Sequence, residues 1–183
     1  MNKKLNIALL FFLVLIFLGS TVTAANDDLF LDGLNHYYQE DYENAINTFE
    51  DHLEENNSDI DTLYYQTLAY LKTANISMVK QNMQLLEDLG YTYAIHHWRL
   101  GELYLNKRGI FDSPYYNEAK RELEKANKLG ISSASLHSDL AMAFQGLDNK
   151  KKAAEHYEIA VEKGAVVDDY FNLASLYKET GKL

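Results

Sequence analysis

The apolar positions of this chain fall at helical spacing over most of its length. Ala45, Phe49 and Leu53 form an i, i+4, i+8 stripe, which places three apolar groups on one face of a helix. The pattern then recurs. Phe30, Tyr64 and Trp98 lie 34 residues apart, and so do Gly33, Thr67 and Gly101, and His36, Tyr70 and Tyr104. Self-similarity at that period predicts an all-α array of helix–turn–helix repeats, each burying its apolar face against its neighbours.

The register divides the chain after its first 25 residues into repeats at 26–59, 60–93, 94–133 and 134–166, with a terminal helix at 167–183. Repeat one turns at Glu40-Asp41 and repeat two near Thr73-Ala74-Asn75. Repeat three has a longer turn: Ala119 comes six residues later than the period requires, and the extra length falls in Asn106–Asp112. Ser113-Pro114 is then expected to open the second helix, Ser as N-cap and Pro at the first helical position. Ala119, Leu123, Ala126 and Gly130 recur as Ala153, Tyr157, Ala160 and Gly164. Gly90, Gly130 and Gly164 are read as helix stops, because Gly takes the left-handed conformation without a Cβ clash. Gly33, Gly101, Ala141 and Ala174 are expected where helix axes approach closely. Tyr70, Tyr104, Phe144 and Tyr177 are expected to fill the space between helices. The terminal helix would cap the array alone, or receive a helix from a partner or a second copy.

The string Tyr37-Tyr38-Gln39-Glu40-Asp41-Tyr42-Glu43-Asn44-Ala45-Ile46 closely resembles the tetratricopeptide signature around its helix–helix turn. Residues 94–131, with their longer Gly-containing turn, resemble the SEL-one-like subtype of that superfamily. The resemblance covers nearly the whole chain after residue 26. It implies a right-handed superhelical solenoid whose first helices line a concave face. Phe30, Leu34 and Tyr37 then face the groove from repeat one, Tyr64, Leu68 and Leu71 from repeat two, and Ile95, Trp98 and Glu102 from repeat three. Repeat four offers the smaller, more polar Ser138, Met142 and Gln145. The carboxylate clamp of chaperone-binding relatives needs Lys and Asn at groove positions, where this chain has Phe30/Leu34 and Tyr64/Leu68. An apolar or aromatic peptide, or a partner helix, fits such a groove better. The same positions also suit rings packed between adjacent first helices, and the two roles are compatible.

Residues 1–25 differ in kind. Lys3 and Lys4 precede an apolar run from Leu5 to Leu18, and Val22-Thr23-Ala24-Ala25 supplies small residues for cleavage. That order reads as a secretory signal peptide, which implies export to a periplasm or beyond. The alternative is an inner-membrane anchor over residues 5–22, although the apolar run is shorter than the ~20 residues of a spanning helix. The chain carries 17 basic and 27 acidic residues, and removing the segment with its two lysines leaves 15 against 27. So acidic a surface disfavours nucleic acid and anionic membranes as partners.

Catalytic signatures are missing. There is no Cys, no Gly-rich phosphate loop and no Gly-x-Ser-x-Gly motif. None of the six His forms a His-x-x-x-His pair, so no metal site is expected, and no cofactor. His97 and His137, at matching repeat positions, are expected in structural or surface roles. The function implied is a non-enzymatic scaffold that binds a protein or peptide partner, exported and placed in a bacterial cell envelope. The alternative is a membrane-tethered, chaperone-like accessory factor of an envelope or translocon machine.

Overall fold

The computed structural model describes residues 28–107 and 115–181. The segment read as a signal peptide, most of the long turn of repeat three, and Ser113-Pro114 lie outside the described residues. The chain divides into two compact parts, Met1–Thr73 and Ala74–Leu183.

The N-terminal part contains α1 (28–38), α2 (Tyr42–Glu55) and α3 (Ile60–Lys72). Its core is built on the Ala45–Phe49 stripe, with Leu63, Ala69 and Tyr70 from α3. Phe49 is fully buried, which stabilises by about 1.5–3 kcal/mol relative to an exposed ring. The repeat position Gly33 faces it: a Cβ there would lie 2.5 Å from the Phe49 ring. The Tyr70 hydroxyl reaches back to donate to Glu50 Oε1 at 2.6 Å.

The C-terminal part contains α4 (Ile76–Asp88), α5 (Ala94–Asn106), α6 (Tyr116–Lys128), α7 (Ala134–Gly146), α8 (Lys150–Glu162) and α9 (Val167–Thr180). All described elements are α-helical, and consecutive helices form hairpins. Leu100, Leu123, Leu136, Leu140, Tyr157 and Leu176 make the core, with Ala119, Ala126, Ala153 and Ala160 at close helix crossings. Gly101 meets Leu123 as Gly33 meets Phe49, with a hypothetical Cβ 2.6 Å from Leu123 Cγ. The Tyr177 hydroxyl donates to Glu158 Oε1 at 2.5 Å, in the manner of Tyr70 on Glu50.

Gly90, Gly130 and Gly164 all have positive φ and all end second helices. Each closes its helix with the same pair of bonds; at Gly90 these are Tyr91 N–H to Leu86 C=O at 2.8 Å and Gly90 N–H to Glu87 C=O at 2.9 Å. Glu40, Ala74 and Asp148, each between two helices, use the same left-handed conformation without Gly. Around Glu40 the bonds are Asp41 N–H to His36 C=O and Glu40 N–H to Tyr37 C=O. Caps then restart the chain: Asp59, Asn75, Ser133 and Asn149 each accept a backbone N–H of the first turn.

Two expectations are corrected. The second helix of repeat three opens at Tyr116 with Tyr115 in the N-cap, later than the start expected at Ser113-Pro114. Tyr115 is held by its N–H to Tyr104 C=O and by ring contact with Tyr104. Ala174, expected at a close crossing, is exposed, because no described helix packs on its side of α9.

Candidate partner-binding surfaces

In the N-terminal part the first helices bring their aromatic residues together. Tyr65, which the periodicity did not single out, is the hub. The rings of Phe30, Tyr37, Tyr38 and Tyr64 meet it edge-on at 6.2, 5.8, 6.4 and 5.2 Å between centroids. Such edge-to-face pairs each add about 0.5–1.5 kcal/mol beyond burial. Phe30 also lies against Phe49 and His52 of α2, so its ring belongs to the α1–α2 packing as much as to the surface. Tyr37 packs on Tyr42, and Leu34, Leu68 and Leu71 are half-buried beside these rings' helices. Tyr38 is 69% exposed, and its hydroxyl lies 3.4 Å from that of Tyr65. That hydrogen bond, with burial, pushes the Tyr65 phenol up to about 12. The cluster accepts a cation on its flank: Lys72 Nζ stands 5.9 Å from the Tyr42 ring centre.

In the C-terminal part Trp98 is half-buried on α5. Its indole N–H donates to Asp139 Oδ2 on α7 at 2.8 Å, and the Arg99 guanidinium lies 5.0 Å from its ring centre. Arg99 also pairs with Glu102 at 2.8 Å. Burial pushes the Asp139 carboxyl up to about 6; the Trp98 bond and the Arg99 charge oppose this, while the charges of Glu102 and Asp169 add to it. Asp169, in the first turn of α9, is itself buried, and its Oδ2 has no hydrogen-bond partner among the described residues. Trp98 and Glu102 therefore border an acidic surface. Asp139 gave no signal in the sequence, since its partner is 41 positions away on another helix.

Two further polar clusters join helices of the same part. His97 Nδ1 lies 2.8 Å from Glu122 Oε2, both groups buried, and Arg121 adds two bonds to Glu122 Oε1. Burial opposes the charge on Glu122, but the His97 and Arg121 bonds outweigh it and hold the carboxyl below its usual range. His137 and His156 share a 3.1 Å Nδ1···Nδ1 contact, with the Ser132 hydroxyl on His137 Nε2 and the Phe144 ring stacked on His156. One imidazole donates and the other accepts, so the bond requires at least one neutral ring. Burial lowers both pKa values, helped at His137 by Lys163 and at His156 by His137 and Lys152, against the pull of Glu155. Below the ordinary His value of 6.5 the unfolded chain therefore binds more protons than the folded one. This pair's contribution to stability is complete above about pH 6.5 and declines as pH falls through the folded values. Urea midpoints at pH 7.5 and 5.5 should differ less in His156→Gln than in the parent chain. An equal difference in both would show that the pair does not titrate on folding.

No protein-family model matches the chain, and no curated protein matches it in sequence. The architecture, however, is shared with solved structures. A crystal structure of MamA superposes with a TM-score of 0.69 at 18% identity, covering 85% of this chain and 82% of that one. The chain has the tetratricopeptide fold. TTC0263, a thermophilic tetratricopeptide protein of Thermus thermophilus, gives a TM-score of 0.54 at 23% identity over 85% of this chain and 83% of its own. YrrB, described as a tetratricopeptide protein with an unusual peptide-binding site, gives 0.67 at 14% identity over 84% and 76%. Of the residues that recur at 34-residue spacing, Gly33, Gly101, Ala119 and Ala153 are buried where helices pack, so low identity still preserves the architecture. Among the described residues no helix is long and apolar enough to cross a membrane.

Proposed function

We propose that the chain is an exported, non-enzymatic scaffold that binds a segment of another protein on its first helices, in a bacterial cell envelope. The observation that carries this reading is the gathering of half-buried aromatic rings on those helices, joined at Trp98 by a carboxylate. Trp98 with Asp139 and Glu102 is the sharpest instance, and the Phe30–Tyr37–Tyr64 cluster, with Leu34, Leu68 and Leu71, the other. A partner segment of apolar or aromatic anchors suits both, and a flanking Lys or Arg suits the Trp98 site, where Asp139 lies. Aromatic anchors commonly dominate interface energies. The peptide-binding site described for YrrB gives this reading a precedent within the fold. Export rests on the basic, apolar and small-residue order of Met1–Ala25; retention of the segment over residues 5–22 would instead make the chain a membrane-tethered accessory factor. N-terminal sequencing of the protein from the envelope separates the two.

Trp98→Ala should weaken capture of the envelope partner by about tenfold or more, since loss of a hot-spot ring costs at least ~2 kcal/mol. It should melt later than Tyr104→Ala, because Tyr104 is buried in the core. If Trp98→Ala melts as early as Tyr104→Ala, yet captures partners normally while folded, Trp98 is a packing residue and the reading fails.

A further inference from the structure

The cleft that α4, α5 and α6 enclose has a chemistry of its own, on the side of the C-terminal part where the second helices lie. Its volume is about 310 Å³, the lower end of the range for small-ligand pockets. Met83, Leu86 and Leu100 give it apolar lining, beside the buried imidazoles of His96 and His97. Tyr91 and Tyr93 form one wall with their rings nearly parallel, 15° apart in plane and 6.5 Å between centres.

The rim is cationic in a chain of net charge −10. Lys80, Arg121 and Lys125 converge on it, from α4 and α6. Two carboxylates also reach the cleft, and each is already engaged. Glu122 is buried and takes His97 on one oxygen and Arg121 on the other. Glu87 has a loose contact with Lys125 at 3.5 Å. Arg121 uses only Nε and Nη2 on Glu122, and Lys80 has no ion-pair partner among the described residues. Three cations against two anions leave the rim with one positive charge in excess, beside the Tyr91–Tyr93 wall and the Met83, Leu86 and Leu100 lining.

We propose that this cleft binds a carboxylate carried on an apolar or aromatic group, the carboxylate on Lys80, Lys125 and the outer edge of Arg121, and the apolar group between Tyr91, Tyr93 and the apolar lining. The buried His97–Glu122 pair is a positioning device: by engaging Nε and Nη2 of Arg121 it fixes the guanidinium at the rim. Two sources carry this chemistry, a free small acid and the C-terminal residue of a protein chain. The cleft is separate from the first-helix surfaces, so it stands whether or not these bind a partner.

The test is titration of the full-length chain with N-acetyl-phenylalanine, its amide, and a decapeptide ending in Phe as free acid or amide, followed by amide chemical shifts. Each acid should bind at least about tenfold tighter than its amide, with the largest shifts at Tyr91, Thr92 and Tyr93. Lys80→Met with Lys125→Met should weaken the acids by about five- to tenfold, the size expected of two half-exposed charge contacts, and leave the amides unchanged. A decapeptide acid that binds far tighter than the single residue identifies a chain terminus as ligand; equal affinities identify a small acid. Equal binding of acid and amide overturns the proposal, as does acid binding that survives the double lysine change. No shifts in the cleft at millimolar probe would also overturn it. Arg121→Lys, which keeps the charge but loses the two-point contact with Glu122, should weaken the acids while the helical circular dichroism stays that of the parent.

Discussion

Leu123→Ala should destabilise the chain by about 2–5 kcal/mol, and Gly101→Ala by about 1–3 kcal/mol, yet the two together should cost less than their sum. Leu123 is fully buried, and its Cγ lies 2.6 Å from where a Cβ on Gly101 would stand. Truncating Leu123 opens a cavity against α5; adding a methyl at Gly101 forces Leu123 or the helix axis aside. In the double variant the methyl enters the space the leucine vacated. Urea denaturation of the parent, the two single variants and the double variant closes the cycle. A coupling of about 0.5–3 kcal/mol in the favourable direction is expected for residues in direct contact. Strict additivity would mean that α5 and α6 do not meet through this pair. The same logic applies to Gly33 and Phe49, where the added Cβ would lie 2.5 Å from the ring.

This pair also explains why the fold was legible from sequence. A small residue on a first helix and a large one on the second are needed wherever the axes cross, so the requirement is written into residue size and returns with the period. Gly33 and Gly101 carry it on first helices, and Ala45, Ala119 and Ala153 are the small residues of second helices; all are buried. The polar chemistry was not legible. His97–Glu122, Trp98–Asp139 and His137–His156 join positions 25, 41 and 19 apart on different helices, and neither period nor local motif marks them. The left-handed residues Glu40 and Ala74 were equally silent, since neither Glu nor Ala announces positive φ, whereas Asp148 is of a type that does.

Asp139→Asn should stabilise the chain at pH 7.5 and much less at pH 4.5. The Asp139 carboxyl is pushed up from 3.8 to about 6, first by burial. Between those values the folded state binds more protons than the unfolded one, so stability falls as pH rises through that window. Above it, the folded chain carries an ionised, largely buried carboxylate at a cost of up to ~3 kcal/mol. Asn is neutral throughout, and its Oδ1 can still accept the Trp98 N–H. A gain of about 1–3 kcal/mol is therefore expected at pH 7.5, fading as Asp139 becomes protonated in the parent. Urea midpoints at pH 7.5 and 4.5 measure it. A gain of equal size at both would assign the effect to packing, and a loss at pH 7.5 would show that the Trp98 bond depends on the charge. Arg99 already partly offsets that charge and pairs with Glu102. A Lys or Arg from a partner, set beside Asp139 and Glu102, would offset the cost in the complex and draw the Asp139 pKa back down. Partner binding should then release a proton near pH 6 in the parent and none from this site in Asp139→Asn. Calorimetry of the complex in two buffers of different ionisation enthalpy would register that difference.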